Sequence, residues 1–228
     1  MNSRTSSSKA SPPLSFANNP APRCPVVLVL DTSASMDGDP IRQLNDGVGH
    51  FIGQIQKDEI ANFSVELACI TFGSVPEVIL PFTNVSEIQA APRLAASGNT
   101  AMGAAITLGL QLLEERKAMF KRTGIPYYQP WMVLMTDGSP TDSVQEATRR
   151  VLLLSGDRKL AFFGIGVGDS VNIGILNGIC PPNRPPRLLK GLDFRGFFEW
   201  LSRSVSTVSR SAPGQQVNLP PTKGWESV

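Results

Sequence analysis

Two segments constrain the fold of this chain more than any other feature: residues 25–31 (PVVLVLD) and residues 131–137 (WMVLMTD). Each is a continuous apolar run that reaches an aspartate. Side chains alternate between the two faces of a strand, so a strand that is apolar at every position must be covered on both sides. A half-solvated antiparallel sheet would show apolar and polar residues in alternation instead. Parallel sheets with helices on both faces produce the unbroken pattern.

The segments between these runs read as the covering helices. Asp39-Pro40 offers a helix cap and a proline at the first helical position. Ile41, Leu44, Val48, Phe51, Ile52 and Ile55 then fall on one helical face. His50 falls on the opposite side, as a surface residue would. Residues 63–72 and 75–82 read as strands joined by Gly73-Ser74, a hairpin-type turn. The spacing predicts helices over 101–121 and 194–208, and a short one at 173–179. Ser143 and Glu146 form a capping box before Val144, Ala147, Val151 and Leu154. Residues 159–167 and 187–189 read as further strands. This alternation predicts an α/β fold: a doubly wound, mostly parallel sheet with one antiparallel edge strand and helices on both faces.

Prolines concentrate toward the ends and divide the 228 residues into a flexible N-terminal arm (1–24), one folded domain (25–210) and a Pro-rich C-terminal tail (211–228). Within the tail, Trp225 is suited either to packing back on the domain or to docking elsewhere. A net charge of +2 argues against a nucleic-acid binder, whose affinity rests on neutralising many phosphates. No unbroken apolar run exceeds that at 26–30, far short of a membrane span, and the Ser-rich start lacks the apolar core of a secretory signal. The expectation is a cytoplasmic protein. One histidine and three scattered cysteines leave little scope for His-based catalysis, a disulfide framework or a zinc ribbon. Cys69 reads as a packed core thiol, and Cys180 sits in a loop that could expose it. The G-x-G-x-G at 164–168 reads as a tight turn, because a dinucleotide site would place it after the first strand.

Polar chemistry must therefore rest on oxygen. In a doubly wound sheet, sites form in the crevice beyond the carboxyl ends of the strands. The first strand runs into Asp31-Thr32-Ser33-Ala34-Ser35 and a later one into Thr136-Asp137-Gly138; Ser97-Gly98-Asn99-Thr100 precedes a helix between them. Asp31, Ser33 and Ser35 alternate and can point the same way. Two carboxylates and three hydroxyls make an all-oxygen set of the kind hard divalent cations prefer. The two carboxylates balance a dication, and an acid from another molecule could take an open position.

Asp31-x-Ser33-x-Ser35, Thr100 and Asp137 together resemble the metal-ion-dependent adhesion site of von Willebrand factor type A domains. The likeness covers residues 25–210. It implies that Ser33 and Ser35 coordinate a metal directly, that Thr100 does so when a ligand is bound, and that Asp31 and Asp137 act directly or through water. The implied cation is Mg²⁺, with Mn²⁺ or Ca²⁺ as alternatives. The implied activity is non-enzymatic: capture of a partner protein's Asp or Glu. Within that family, the segments at 26–36, 97–106 (SGNTAMGAAI) and 131–142 (WMVLMTDGSPTD), with the NLPPTKGW tail, resemble bacterial TerY-like proteins associated with tellurium resistance. That likeness implies a kinase or phosphatase as partner. Two other readings stay open: a metal-dependent hydrolase, for which Asp37 or Asp39 would be the base, and a structural module with a vacant site.

Overall fold

In the computed structural model, which describes residues 19–222 and 224–227, the unbroken apolar runs become the centre of a six-stranded sheet. The elements in chain order are β1 (Cys24–Asp31), α1 (Asp39–Gln56), α2 (Ala61–Ser64), β2 (Val65–Phe72), β3 (Pro76–Asn84), α3 (Met102–Thr123), β4 (Trp131–Thr136), α4 (Gln145–Gly156), β5 (Ala161–Gly166), α5 (Ile173–Ile179), β6 (Arg187–Leu188) and α6 (Phe194–Ser209). Most of the arm expected over residues 1–24 lies outside the described residues. Among these, no helix is long and apolar enough to cross a membrane.

The strand order is β3-β2-β1-β4-β5-β6, with β3 antiparallel to β2 and every other pairing parallel. The α/β architecture and its single antiparallel edge are those the sequence pattern predicts. Alternation along β1 sorts the core into two layers. Val26, Leu28 and Leu30 pack with α1 and α6, while Val27 and Val29 pack with α3, α4 and α5. All five are fully buried. The chain leaves β1 toward β2 and later returns on its other side as β4. Their carboxyl ends, Asp31 and Thr136, therefore flank the switch point where such sheets leave a crevice.

Local expectations differ from the structure in instructive places. Gly38, with φ of +84°, occupies the cap position of α1, while Asp39 lies in its first turn and pairs with Arg42 in solvent. Ser143 makes no capping bond to α4. Its neighbour Asp142 instead accepts hydrogen bonds from Gly103 and Ala104 at the start of α3 (2.9 and 2.8 Å). That arrangement satisfies two orphan amides of a different helix. His50 is largely covered, 4.0 Å from Glu199, because α6 packs along α1. Cys180 is buried, and like Cys24 and Cys69 its thiol is pushed up to about 12 by burial. Gly164 and Gly166 lie in β5 rather than in a turn. A Cβ would fall 2.5 Å from Cys180 Sγ at the first and 2.5 Å from Leu188 at the second.

The tail returns to the domain. Trp225 is 3% exposed and lies edge-on to Phe197, with ring centroids 5.1 Å apart. The indole N–H of Trp200 donates to Pro220 O (2.8 Å), and Arg187 pairs with Glu226.

Candidate functional site

The site grows from the end of β1. Asp31 is held from two directions: its Oδ1 accepts the Ser33 N–H (2.8 Å) and its Oδ2 accepts the Thr136 hydroxyl (2.5 Å). The first contact folds the 31–33 loop back on itself, and the second ties β1 to β4 across the crevice. Ser33 Oγ then lies 3.0 Å from Ser35 Oγ, and Ser35 Oγ donates to Asp137 Oδ1 at 2.9 Å. Asp31, Ser33 and Asp137 are buried, whereas Ser35 is exposed. The result is a short chain of oxygens that opens outward through Ser35.

Backbone hydrogen bonds place the third loop beside it. Ser97 N–H donates to Thr32 O (2.7 Å), Ala34 N–H to Gly98 O (3.0 Å) and Ala101 N–H to Gly73 O (2.9 Å). Gly98 makes this approach possible. Its φ is +76°, and a Cβ there would sit 2.5 Å from Ser74 Oγ. Thr100 is buried at the rim and joined to the loop after β4 by Thr141 N–H donating to Thr100 O (2.9 Å). Its Oγ1 lies 3.9 Å from where a Cβ on Gly138 would stand, a placement that sets the hydroxyl against the Asp137-Gly138 backbone. All five sequence-predicted residues therefore meet at one end of the sheet. Asp37 and Asp39, the alternative bases, are exposed outside this cluster.

The electrostatics are one-sided. Burial raises the Asp31 carboxyl above the usual carboxylate range despite its hydrogen bonds, and the nearby Asp137 adds to the shift. Burial raises Asp137 as well. Among the described residues neither has an ion-pair partner, and no group of three or more His, Cys, Asp or Glu side chains forms a metal-ligating cluster. What is present is a carboxylate–hydroxyl set that favours a positive charge and supplies none. Two participants escaped sequence reasoning: Thr136, whose hydroxyl orients Asp31, and Thr141, which anchors Thr100. Each lies within five residues of a predicted ligand, but only the folded loops reveal its bond.

Comparison with known proteins identifies the class. Residues 26–196 match the von Willebrand factor type A domain, and the chain belongs to that family. It is 27% identical over 157 residues to an uncharacterized protein of Synechocystis sp., covering 67% of this chain and 34% of that protein. It is 22% identical over 199 residues to inter-alpha-trypsin inhibitor heavy chain H1 of Bos taurus, covering 79% of this chain and 21% of that protein. The chain thus spans 34% and 21% of the length of these two relatives. Among solved structures, the pilus adhesin SpaC of Lactobacillus rhamnosus GG superposes with a TM-score of 0.65 at 14% identity, over 83% of this chain and 32% of the adhesin. Proximal thread matrix protein 1 of the mussel byssus, with a zinc-occupied adhesion-site motif, gives a TM-score of 0.55 at 16% identity, over 84% of this chain and 47% of that one. At these identities the structural likenesses concern the fold.

Proposed function

We propose that this chain is a cation-dependent protein-interaction domain. A divalent cation held by Asp31, Ser33, Ser35, Thr100 and Asp137 would attract an Asp or Glu of a partner protein. The observation that carries the reading is the spacing of the oxygens. Ligands at adjacent corners of an octahedral Mg²⁺ shell, each ~2.1 Å from the ion, lie about 3 Å apart. The Ser33–Ser35 and Ser35–Asp137 contacts are 3.0 and 2.9 Å. Three of the five donors thus stand at a spacing that suits a small hard cation as well as a hydrogen bond, and the two buried carboxylates favour a counter-charge. When bound, the cation would act as a Lewis acid toward the partner's carboxylate. Asp31, with both oxygens engaged by Ser33 and Thr136, fits a role through water better than direct ligation. The zinc-occupied motif of the mussel protein supports a metal at this place in the fold, and we take Mg²⁺ as the resident ion on the oxygen-only chemistry.

The finer reading is a TerY-like adaptor in a tellurite or stress response, with a kinase or phosphatase as partner in the cytoplasm. Its support is the set of sequence segments at 26–36, 97–106 and 131–142. A pull-down from native lysate with and without Mg²⁺, using wild type and Asp31→Ala, tests both levels. The expected result is partner capture that needs Mg²⁺ and Asp31, with a kinase or phosphatase among the captured proteins. Full capture in EDTA would remove the metal from the mechanism.

A further inference from the structure

A second charged site lies at the other end of the sheet, about 20 Å away along the six residues of β4. There the segments before β4 and β5, the ends of α3 and α4, and the tail at 214–219 enclose a groove of about 690 Å³. Its lining includes Lys117, Lys121, Arg158, Lys159 and Arg184 and no carboxylate. Lys159 pairs with Asp157 (2.8 Å). Among the described residues, the other four have no ion-pair partner. Burying a cation is unfavourable without a counter-charge, yet Lys117 and Arg184 are both half-buried. Burial lowers both below their ordinary values; at Lys117 the attraction of Glu114 opposes this and the neighbouring Lys121 and Lys159 add to it. The Arg184 guanidinium lies 4.5 Å from the centre of the Phe163 ring, a contact that leaves its edge N–H groups for another acceptor. Ser155 Oγ, in the groove wall, is buried without a hydrogen-bond partner among the described residues.

Arg158 adds an independent sign. Its φ is +55°, the sole positive value at a non-glycine residue among those described. It follows the end of α4, where a left-handed residue closes the helix and glycine is the residue of least strain. An arginine at this strained position delivers a cation to the groove at a cost in stability.

We propose that this groove is a second binding site, independent of the metal, that takes an acidic extended peptide segment of a partner protein. The volume lies in the range of ligand pockets and suits a short segment. Gln129, Gln215 and Gln216 in the lining can hydrogen-bond a peptide backbone. Four unpaired cations fall short of the 6–10 phosphate contacts, roughly, that sustain a nucleic-acid binder. With an acid-seeking site at each end, the domain would bridge two partners.

Fluorescence anisotropy with labelled octaglutamate tests the proposal on the full chain, in EDTA throughout so that the metal site is silent. The expected result is binding that Asp31→Ala leaves unchanged and that weakens at least about tenfold in Lys117→Glu/Lys121→Glu. Arg158→Gly should weaken binding several-fold without lowering the Tm, because it relieves the left-handed strain. Absence of octaglutamate binding would overturn the proposal. So would equal binding by the charge-reversed variant, or tighter binding of a thymidine oligonucleotide of matched charge. Failure of the metal reading would instead appear in the lysate experiment alone.

Discussion

Asp31 and Glu66 are carboxylates on neighbouring strands, 0% and 1% exposed, and the fold treats them in opposite ways. Glu66, near the start of β2, is clamped by two arginines: Arg23 Nε at 3.3 Å and Arg116 Nε at 2.5 Å. Its charge is neutralised inside the molecule. Asp31, at the end of β1, receives only neutral amide and hydroxyl groups of Ser33 and Thr136, with Asp137 close enough to repel it. Equal burial therefore serves stability at one end of the sheet and leaves an unbalanced charge at the other. Structural and site carboxylates are told apart by where the counter-charge comes from, rather than by depth.

The largest test of this contrast is Glu66→Ala. It strands two arginines at a buried position and should cost about 3–5 kcal/mol in urea denaturation, the range for breaking a buried ion pair. A loss under 1 kcal/mol would mean that Glu66 is not the neutralised partner described. Next comes the cation itself. At a hundredfold excess over its Kd, a bound ion should stabilise the fold by about 2.7 kcal/mol. For a domain of this size that is a Tm rise of roughly 5–10 °C. Asp31→Asn should abolish the rise while leaving the Tm in EDTA unchanged or higher, because it removes an uncompensated charge. A collapse of Asp31→Asn comparable to Glu66→Ala would erase the distinction between the two ends. Thr100→Ala is a smaller perturbation: its unfolding free energy from urea denaturation in EDTA should fall by about 1 kcal/mol or less, with the cation-dependent rise reduced. Asp39→Ala removes an exposed pair with Arg42 and should change stability by less than about 1 kcal/mol, with no effect on the cation response. An effect of Asp39 on cation binding would enlarge the site beyond the five residues.

The centre of the sheet was legible because burial on both faces leaves an unmistakable pattern at 26–30 and 131–135. The five residues that meet at this end of the sheet were legible as a candidate site because each lies on a loop leaving a strand or entering a helix, at spacings the chain carries in one dimension. Hydrogen bonds between loops were not. Asp142 lies beside Ser143 and caps α3, rather than the helix that follows it, because the two loops meet only in the folded chain. The face of α1 alone places His50 in solvent, but α6, which begins at Phe194 far along the chain, lies over it. Periodicity reports one buried face and does not say which second element covers a flank.

The sequence by itself determined the class of fold, the order of its strands and longer helices and the residue types of the candidate site, since apolar alternation, helical periodicity and oxygen chemistry are local properties; the short helix at Ala61–Ser64 and the helix caps were not among them. Tertiary structure alone decided how charges are compensated. It set Arg23 and Arg116 on Glu66, left Asp31 and Asp137 with no ion-pair partner among the described residues, gathered around the opposite rim four basic residues that likewise have none among those residues, and seated Trp225 against Phe197. Coulomb and hydrogen-bond energies depend on distances of a few ångströms between groups remote along the chain, and only the packed sheet brings those groups to such distances.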